Sequence, residues 1–201
     1  MNSFKYKILI RCDAANILGI GTGHVYRCIT IAQLIKKKYK LKHQDIAFVI
    51  KTKNKFKQGL SILKSYKFKI IQIENHMLKA NSMDEAKYLT QNSSNLLIID
   101  RLGSTNIGFI KKIKNSFNKK IIIDDFSDNR KHFDLSLNPL THNVKKVKNS
   151  NIGFNYLISP SINSKKNYKK INEKNILIFL GGFDSRNFTI KIVKILNLIP
   201  F

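Results

Sequence analysis

The residue best placed for chemistry in this sequence is His24, which directly follows the glycine-bearing stretch Gly19-Ile20-Gly21-Thr22-Gly23. Glycines between a strand and a helix let backbone N–H groups gather at the helix start, where the positive end of the helix dipole favours anions such as diphosphate. The same dipole disfavours a protonated imidazole, so a neutral His24 ring can act as a general base. The residues alone leave open a second interpretation, in which His24 merely caps the helix.

The glycine spacing does not match two common phosphate-binding motifs. Gly19, Gly21 and Gly23 alternate with other residues, unlike the G-x-G-x-x-G dinucleotide pattern, and no Gly-Lys-Ser/Thr follows as a P-loop requires. We predict that Gly21, Thr22 and Gly23 contact a substrate, and we expect no cofactor. Arg27, one turn into the predicted helix, either reaches a phosphate or forms a surface ion pair.

Four carboxylates follow apolar stretches that have the pattern of strands. They are Asp13, Asp100 and the adjacent pair Asp124 and Asp125. The carboxyl ends of parallel strands meet at one edge of a sheet, and ligands of open α/β folds gather there. Each acid alone is equally well explained as a loop residue that caps a helix or binds backbone, but their shared edge favours a ligand site.

The elements that must position these residues alternate between strand and helix. Uninterrupted apolar stretches predict strands at residues 7–10, 46–50, 69–73, 96–99, 121–123 and 133–137. Amphipathic spacing predicts helices over residues 25–35, 55–66, 83–89 and 107–117. Apolar strands separated by such helices are typical of a parallel sheet covered on both faces. We therefore predict a doubly wound, Rossmann-like α/β domain.

The sequence changes character after this domain, which we assign to residues 1–140. Residues 141–174 are polar and rich in lysine and asparagine, which predicts a connection between domains. Residues 175–201 resume the α/β pattern, with a strand at 175–180, a turn at Gly181-Gly182 and a helix at 188–198. About thirty residues cannot bury a core of their own, so we expect a truncated second domain or a unit that docks elsewhere.

The composition is that of a globular protein with a core of its own. The 201 residues are 43% hydrophobic and 24% charged, which indicates one full domain and part of another.

The formal net charge of +25 comes from 37 Lys+Arg against 12 Asp+Glu. The excess is mostly lysine spread along the chain, without an aromatic-basic RNA motif, so we expect no nucleic-acid partner. The positive field would still attract an anionic diphosphate substrate.

Cysteine and histidine spacing predicts neither a redox motif nor a metal site. Cys12 and Cys28 form no CxxC pair, and reduced thiols fit a cytoplasmic protein. The first ten residues lack a signal-peptide pattern and no segment reaches membrane-spanning length, so we expect a soluble protein without stable membrane insertion. No ligand spacing relates the five histidines, which are His24, His43, His76, His132 and His142. The sequence leaves the oligomeric state open.

Several motifs occur in order along nearly the whole chain. They are Ile10-Arg11-Cys12-Asp13-Ala14-Ala15, Gly21-Thr22-Gly23-His24-Val25-Tyr26-Arg27-Cys28, Ile31-Ala32, Ile98-Ile99-Asp100 with Gly103, Asp124-Asp125 with His132, Asp134, Leu137, Asn138 and Pro139, then Gly153, Tyr156 and Pro160, and finally Gly181-Gly182 with Asp184, Asn187 and Thr189. In this combination the sequence resembles the UDP-sugar hydrolases of pseudaminic acid biosynthesis and their spore-coat polysaccharide relatives (the PseG/SpsG family).

The resemblance implies a glycosyltransferase-B-like fold of two domains and a role in nonulosonate or surface polysaccharide biosynthesis, including the glycosylation of flagellin. It implies hydrolysis of UDP-2,4-diacetamido-2,4,6-trideoxy-β-L-altropyranose to the free sugar and UDP. His24 would activate a water that attacks the anomeric carbon with inversion. Gly181, Gly182 and the helix start at Asn187 would bind the diphosphate of the nucleotide.

The resemblance also implies roles for the acids at the sheet edge. Asp13 and Asp100 would orient His24 or hold sugar hydroxyls, and Asp125 would belong to the same substrate site. Two other functions stay open. A MurG-like glycosyltransferase also combines a glycine–histidine loop with a glycine turn in its second domain, but it transfers the sugar to a hydroxyl instead of water. An inactive partner subunit would keep the fold without a complete site.

Overall fold

A computed structural model describes residues 4–15, 20–74, 78–140, 144–159, 176–178, 180, 184 and 186–199. Within these residues the strands are β1 (Tyr6–Cys12), β2 (Ile46–Lys51), β3 (Lys69–Ile73), β4 (Ser94–Gly103), β5 (Phe117–Asp125), β6 (Leu135–Asn138) and β7 (Ser150–Ile152). The helices are α1 (Gly23–Tyr39), α2 (Lys57–Lys64), α3 (Met83–Thr90), α4 (Ile107–Ile113) and α5 (Phe188–Leu196). Short 3-10 turns lie at His43–Asp45, Asn54–Phe56, Asp128–His132 and Phe154–Tyr156.

The seven strands form one all-parallel sheet in the order β3-β2-β1-β4-β5-β6-β7. This arrangement confirms the predicted Rossmann-like α/β fold. The direction of winding reverses between β1 and β4, which pair in register so that Cys12 lies opposite Asp100. In open α/β sheets, ligands bind outside the carboxyl ends of the strands at such a switch point. The fold therefore presents its ligand crevice where β1 and β4 end.

The central strands are mainly apolar because both of their faces are covered. Ile8 and Ile10 of β1 belong to a core cluster that also contains residues of α1 and α2. Leu9, which lies between them, belongs to a second cluster that contains residues of α3 and α4. All six residues of β2 are buried. A strand in this position has no solvent-facing side, so its sequence shows no polar alternation.

Helix α4 and strand β7 are the clearest departures from the sequence prediction, beyond shifts in the ends of other elements. Helix α4 ends at Ile113 rather than at residue 117, because Phe117 is buried and begins β5 opposite Ser94. Strand β7 lies inside the stretch predicted as a connection. It pairs with β6, with Ser136 opposite Ser150, and its three residues carry too little apolar pattern to be recognised as a strand.

The described residues in the last part of the chain include one helix, α5. Helix α5 begins at Phe188 as predicted, and none of its nine residues is buried. Residues 176–178 and 180 are not in a strand, contrary to the predicted strand at 175–180, because the described part of the chain offers them no neighbouring strand for backbone pairing. Among the helices in the described ranges, none combines the length and the apolarity needed to cross a bilayer.

Candidate functional site

The residues on either side of the loop after β1 pair with each other just before α1 begins. Ala15 N donates a hydrogen bond to Gly21 O at 3.0 Å, and Gly21 has φ +53, a conformation that favours glycine. Thr22 precedes the helix, and its side chain forms no capping hydrogen bond with any described residue. A Cβ at Gly21 or Gly23 would meet no described atom within 4 Å, so this backbone is open to a ligand. His24 therefore lies in the first turn of α1.

His24 is oriented by a carboxylate of the central strand β4. Its Nδ1 lies 2.8 Å from Oδ1 of Asp100, and Asp100 is fully buried. Burial by itself raises the pKa of Asp100, but hydrogen bonds from His24 and Arg27 and the Arg27 charge outweigh it and hold the pKa below its usual value. Asp100 is therefore an ionised acceptor against the imidazole. Of the two predicted orienting acids, Asp100 holds this position.

Arg27 links the carboxylates of two neighbouring strands. Its Nε donates to Oδ2 of Asp100 at 2.7 Å, and its Nη2 lies 2.5 Å from both Asp100 Oδ1 and Asp124 Oδ2. Burial lowers the pKa of Arg27, but these bonds and charges raise it above its usual value overall. The Arg27 side chain is 9% exposed. Neither predicted alternative, a surface ion pair or a phosphate contact alone, describes this buried bridging position.

The hydrogen count of Arg27 decides the tautomer of His24. Nη2 also lies 3.2 Å from Nδ1 of His24, but a guanidinium NH₂ group has only two hydrogens, and both are directed to carboxylate oxygens. Nδ1 must therefore carry its own hydrogen and donate it to Asp100. The other ring nitrogen, Nε2, is then a proton acceptor. This is the tautomer that a histidine needs to deprotonate water.

The structure places Asp124 and Asp125 in different surroundings. Asp125 was predicted to bind substrate, but its Oδ1 accepts hydrogen bonds from Ser127 N and Oγ at 2.8 and 2.6 Å, and its Oδ2 accepts one from Thr105. Asp124 instead contacts Arg27, and its Oδ1 is buried without a donor among the described residues. Asp124 has φ 59, which breaks the regular alternation of the strand. The sequence pattern therefore could not tell which acid faces the site.

Asp13 is held by the protein rather than by His24. Its Oδ2 accepts a hydrogen bond from Arg11 at 2.6 Å, and its Oδ1 accepts one from the backbone N–H of Lys51 at 2.9 Å. It is 8% exposed and lines a small cavity next to His24. Asp13 therefore connects the ends of β1 and β2 and contributes one wall of the crevice.

A buried network of ion pairs beside the crevice was not predicted from the sequence. Glu85 Oε1 accepts hydrogen bonds from Arg11 at 2.8 Å and from Arg101 at 2.5 Å, and Glu85 Oε2 accepts one from Asn81 N at 2.7 Å. Burial raises the pKa of Glu85, but the charges of Arg101 and Arg11 outweigh it and lower the pKa to about 2. A sequence signal existed, because arginines stand within the apolar strand sequences of β1 and β4.

His24 lies where two cavities meet. One has a volume of about 310 Å³ and is lined by Arg27 and Asp124 together with apolar side chains that include Ile20, Leu140, Leu157 and Ile158. The other, of about 100 Å³, is lined by Asp13, Lys51, Phe56, Ala80 and Arg101. A sugar-sized group and a smaller group can therefore both approach the same imidazole.

The three side chains around Arg27 could also be considered as metal ligands. Ligand atoms of His24, Asp100 and Asp124 lie within 4.8 Å of one another, which is close enough to hold one ion. Nη2 of Arg27 already lies 2.5 Å from both carboxylates and 3.2 Å from the imidazole. The guanidinium is thus the cation that balances these two acids, and the donor set fits an arginine-centred cluster better than a metal.

The residues predicted to bind the nucleotide are only partly described. Gly181 and Gly182 lie outside the described residues. Asn187 immediately precedes α5 in a left-handed conformation with φ 52. The first N–H groups of α5 donate to the carboxylate of Asp184, Phe188 N at 3.0 Å and Thr189 N at 2.7 Å, and these bonds, Thr189 first, lower the pKa of Asp184. Donors expected to bind a diphosphate are therefore engaged by an acid of the chain itself.

Comparison of the chain with protein-family models and with curated proteins found no match. The chemical capability of the site therefore rests on its geometry. That geometry comprises an imidazole fixed in one tautomer by a buried carboxylate, a bridging arginine and a cavity that His24 lines. Together these groups can remove a proton from a bound hydroxyl or water.

Proposed function

We propose that this chain is an enzyme that hydrolyses a nucleotide-activated sugar, with His24 as the general base. The observation that carries the proposal is the 2.8 Å contact between His24 Nδ1 and the buried Asp100, because it leaves Nε2 to accept a proton. Nε2 takes that proton from a water as the water attacks the anomeric carbon. The bond between this carbon and the diphosphate breaks, and the sugar leaves with inverted configuration.

Asp100 and Arg27 support this step electrostatically. As His24 gains a proton, the carboxylate of Asp100 stabilises the imidazolium that forms. Arg27 favours the ionised form of Asp100 and holds Asp124 beside it, since Arg27 Nη2 lies 2.5 Å from an oxygen of each carboxylate. Oδ1 of Asp124 has no donor among the described residues, so it is suited to accept a hydrogen bond from a sugar hydroxyl or amide.

The cavity of about 310 Å³ supports a sugar as the group bound next to His24. This volume suits a small ligand but is too small for a complete nucleotide sugar. Its apolar wall, formed by Leu140, Leu157 and Ile158, suits methyl groups of a deoxy or acetamido sugar. The resemblance to the PseG/SpsG family implies UDP-2,4-diacetamido-2,4,6-trideoxy-β-L-altropyranose, and we propose this sugar nucleotide as the substrate because the cavity is compatible with it. In the glycosyltransferase-B-like arrangement that we propose, UDP would extend towards a second domain.

The proposal is tested by incubating the full chain with this UDP-sugar in the absence of any acceptor. We expect UDP and free sugar to appear in equal amounts, with an inverted anomer detected by ¹H NMR before mutarotation. His24→Ala should reduce kcat by about 10²- to 10⁴-fold. His43→Ala is the matched control, because His43 is exposed and lines a separate groove.

Three outcomes would redirect the assignment. Release of UDP only when a hydroxyl acceptor is added indicates a glycosyltransferase. Binding of the UDP-sugar without turnover indicates a binding subunit. A His24→Ala variant that retains the wild-type kcat removes His24 from the role of base, even if the chain hydrolyses the substrate.

A further inference from the structure

We propose that Lys51 and Arg101 form a second subsite, which binds one small oxyanion group in the smaller cavity beside His24. The proposal uses the proposed function to name the substrate that would carry this group. The existence of the subsite rests on the structure of the cavity alone. It assigns a role to two cations that the general-base chemistry of His24 does not use.

The size of the cavity restricts what can enter it. Its volume is about 100 Å³, and His24, Lys51 and Arg101 all line it. This is about a third of the volume of the neighbouring cavity, so the space suits one small group such as a phosphate or carboxylate better than a nucleoside. The ligand therefore places one anionic group here and keeps its remainder elsewhere.

Lys51 is a buried cation without a charged partner. It ends β2 and is 8% exposed, and its Nζ forms no ion pair and no hydrogen bond with any residue in the described ranges. The ammonium lies 5.1 Å from the ring centroid of Phe56, which is a weak contact for a buried charge. Burial lowers the pKa of Lys51 more than the nearby charge of Asp13 raises it. An anionic ligand would supply the missing counter-charge.

Arg101 adds a fixed donor group to the same cavity. Its Nη1 donates to Glu85 at 2.5 Å and its Nη2 donates to Asn81, so the guanidinium is held in place. Its Nε is buried and has no acceptor among the residues that the structure describes. Buried N–H donors without an acceptor are rare in proteins and are often completed by a ligand or water. Arg101 thus places a second, fixed positive charge at the wall of the cavity.

The charges around the cavity leave one positive charge unbalanced. Three cations, Arg11, Lys51 and Arg101, face two carboxylates, Asp13 and Glu85. Arg11 bonds to both carboxylates, and Arg101 bonds to Glu85. The charge of Lys51 is the one that no ion pair neutralises in the described part of the chain. One bound monoanionic group would make the cluster neutral, which favours a phosphoryl or carboxylate oxygen.

Lys51→Met tests the subsite because methionine keeps most of the length and the flexible apolar stem of the side chain but removes its charge. Lys53→Met is the matched control, since Lys53 is two residues away and forms only an exposed pair with Glu74. Both variants lower the net charge equally. The probes are UDP, UDP-glucose, UDP-glucuronate, glucuronate and the neutral compounds uridine and glucose, titrated by isothermal calorimetry.

We expect Lys51→Met to raise the Kd of the anionic probe that enters the cavity by about tenfold or more. Lys53→Met should change this Kd by less than about twofold, and Lys51→Arg should restore most of the affinity. A loss shared by UDP and UDP-glucose identifies a phosphoryl group as the ligand. A loss confined to the glucuronate compounds identifies a carboxylate.

Equal losses in Lys51→Met and Lys53→Met overturn the proposal, since they reveal only a general effect of net charge. Equal losses for uridine or glucose overturn it as well, and so does a wild-type chain that binds none of the anionic probes. Circular dichroism confirms that each variant is folded. Because the readout is binding, the absence of hydrolysis would count against the proposed function and leave this test intact.

Discussion

Nδ1 of His24 and Oδ1 of Asp100 lie 2.8 Å apart, although the two residues are separated by 76 positions in the chain. The contact exists because β1 and β4 are neighbours at the centre of the sheet and α1 begins directly above their ends. A base on a helix is thereby fixed by an acid on a strand. This relationship leads to the first prediction.

Replacing Asp100 with Asn should reduce kcat for UDP-sugar hydrolysis by about 10²- to 10⁴-fold, because a neutral amide neither fixes the tautomer nor stabilises the imidazolium. The rate is measured as UDP release at saturating substrate. Asp84→Asn is the control, since Asp84 pairs with Lys87 on the surface. An Asp100→Asn enzyme with unchanged kcat would show that the contact has no catalytic role.

Removing the charge of Arg27 should destabilise the fold. Arg27→Met leaves Asp100 and Asp124 buried without their cation, so the free energy of unfolding should fall by about 3–5 kcal/mol. Arg27→Lys should fall between this variant and the wild type, because lysine keeps the charge but cannot bridge two carboxylates in one plane. Urea denaturation measures the effect, with the exposed Arg186→Met as control. Equal stability of Arg27→Met and the wild type would contradict the bridging role.

Stability should fall in acid partly through Glu85. Its pKa is about 2 in the folded chain against an ordinary value of 4.5, so the folded state holds its proton less tightly than the unfolded state. The stabilisation, about 3 kcal/mol, is therefore complete above pH 4.5 and is lost as the pH falls towards 2. Urea midpoints measured from pH 6 to 2 should show a shallower decline for Glu85→Gln than for the wild type. Parallel curves would contradict this assignment.

The backbone conformation of Gly21 predicts a difference between two neighbouring glycines. Gly21→Ala should lower the free energy of unfolding by about 1 kcal/mol, because its φ of +53 disfavours a side chain. Gly23→Ala is the matched comparison. Gly23 is helical and a Cβ there meets no described atom within 4 Å, so stability should stay constant or increase. A thermal melt distinguishes the two, and equal melting temperatures would count against the assigned loop conformation.

The strands were predictable where burial alone shapes the sequence. Strand β2, expected at 46–50 and observed at Ile46–Lys51, is apolar because both faces are covered. Helix α4 was predicted too long because Phe117 suits either a helix face or a buried strand, and only its pairing with Ser94 decides between them. Periodicity describes local geometry, so it carries no information about pairing between distant segments.

The site was also predictable in part, where a residue's place after a loop or strand indicated its role. His24 and Asp100 were named from their positions after a glycine loop and after a strand, and the structure brings them together. The sequence could not show that Asp124, rather than Asp125, contacts Arg27, because this depends on the left-handed backbone conformation of Asp124. Lys51 was also missed, since a lysine in a chain with 37 basic residues does not stand out until its burial is known.

The all-parallel topology has a consequence for how the molecule reaches its native state. No hairpin connects its strands, and among the strand pairs β1 and β4 have the longest sequence separation. Closing the largest loop costs the most chain entropy, so this pairing is the slowest to nucleate. The imidazole of His24 and the carboxylate of Asp100 meet only when that central pairing is complete, so any folding intermediate that contained only the outer strands would lack this contact.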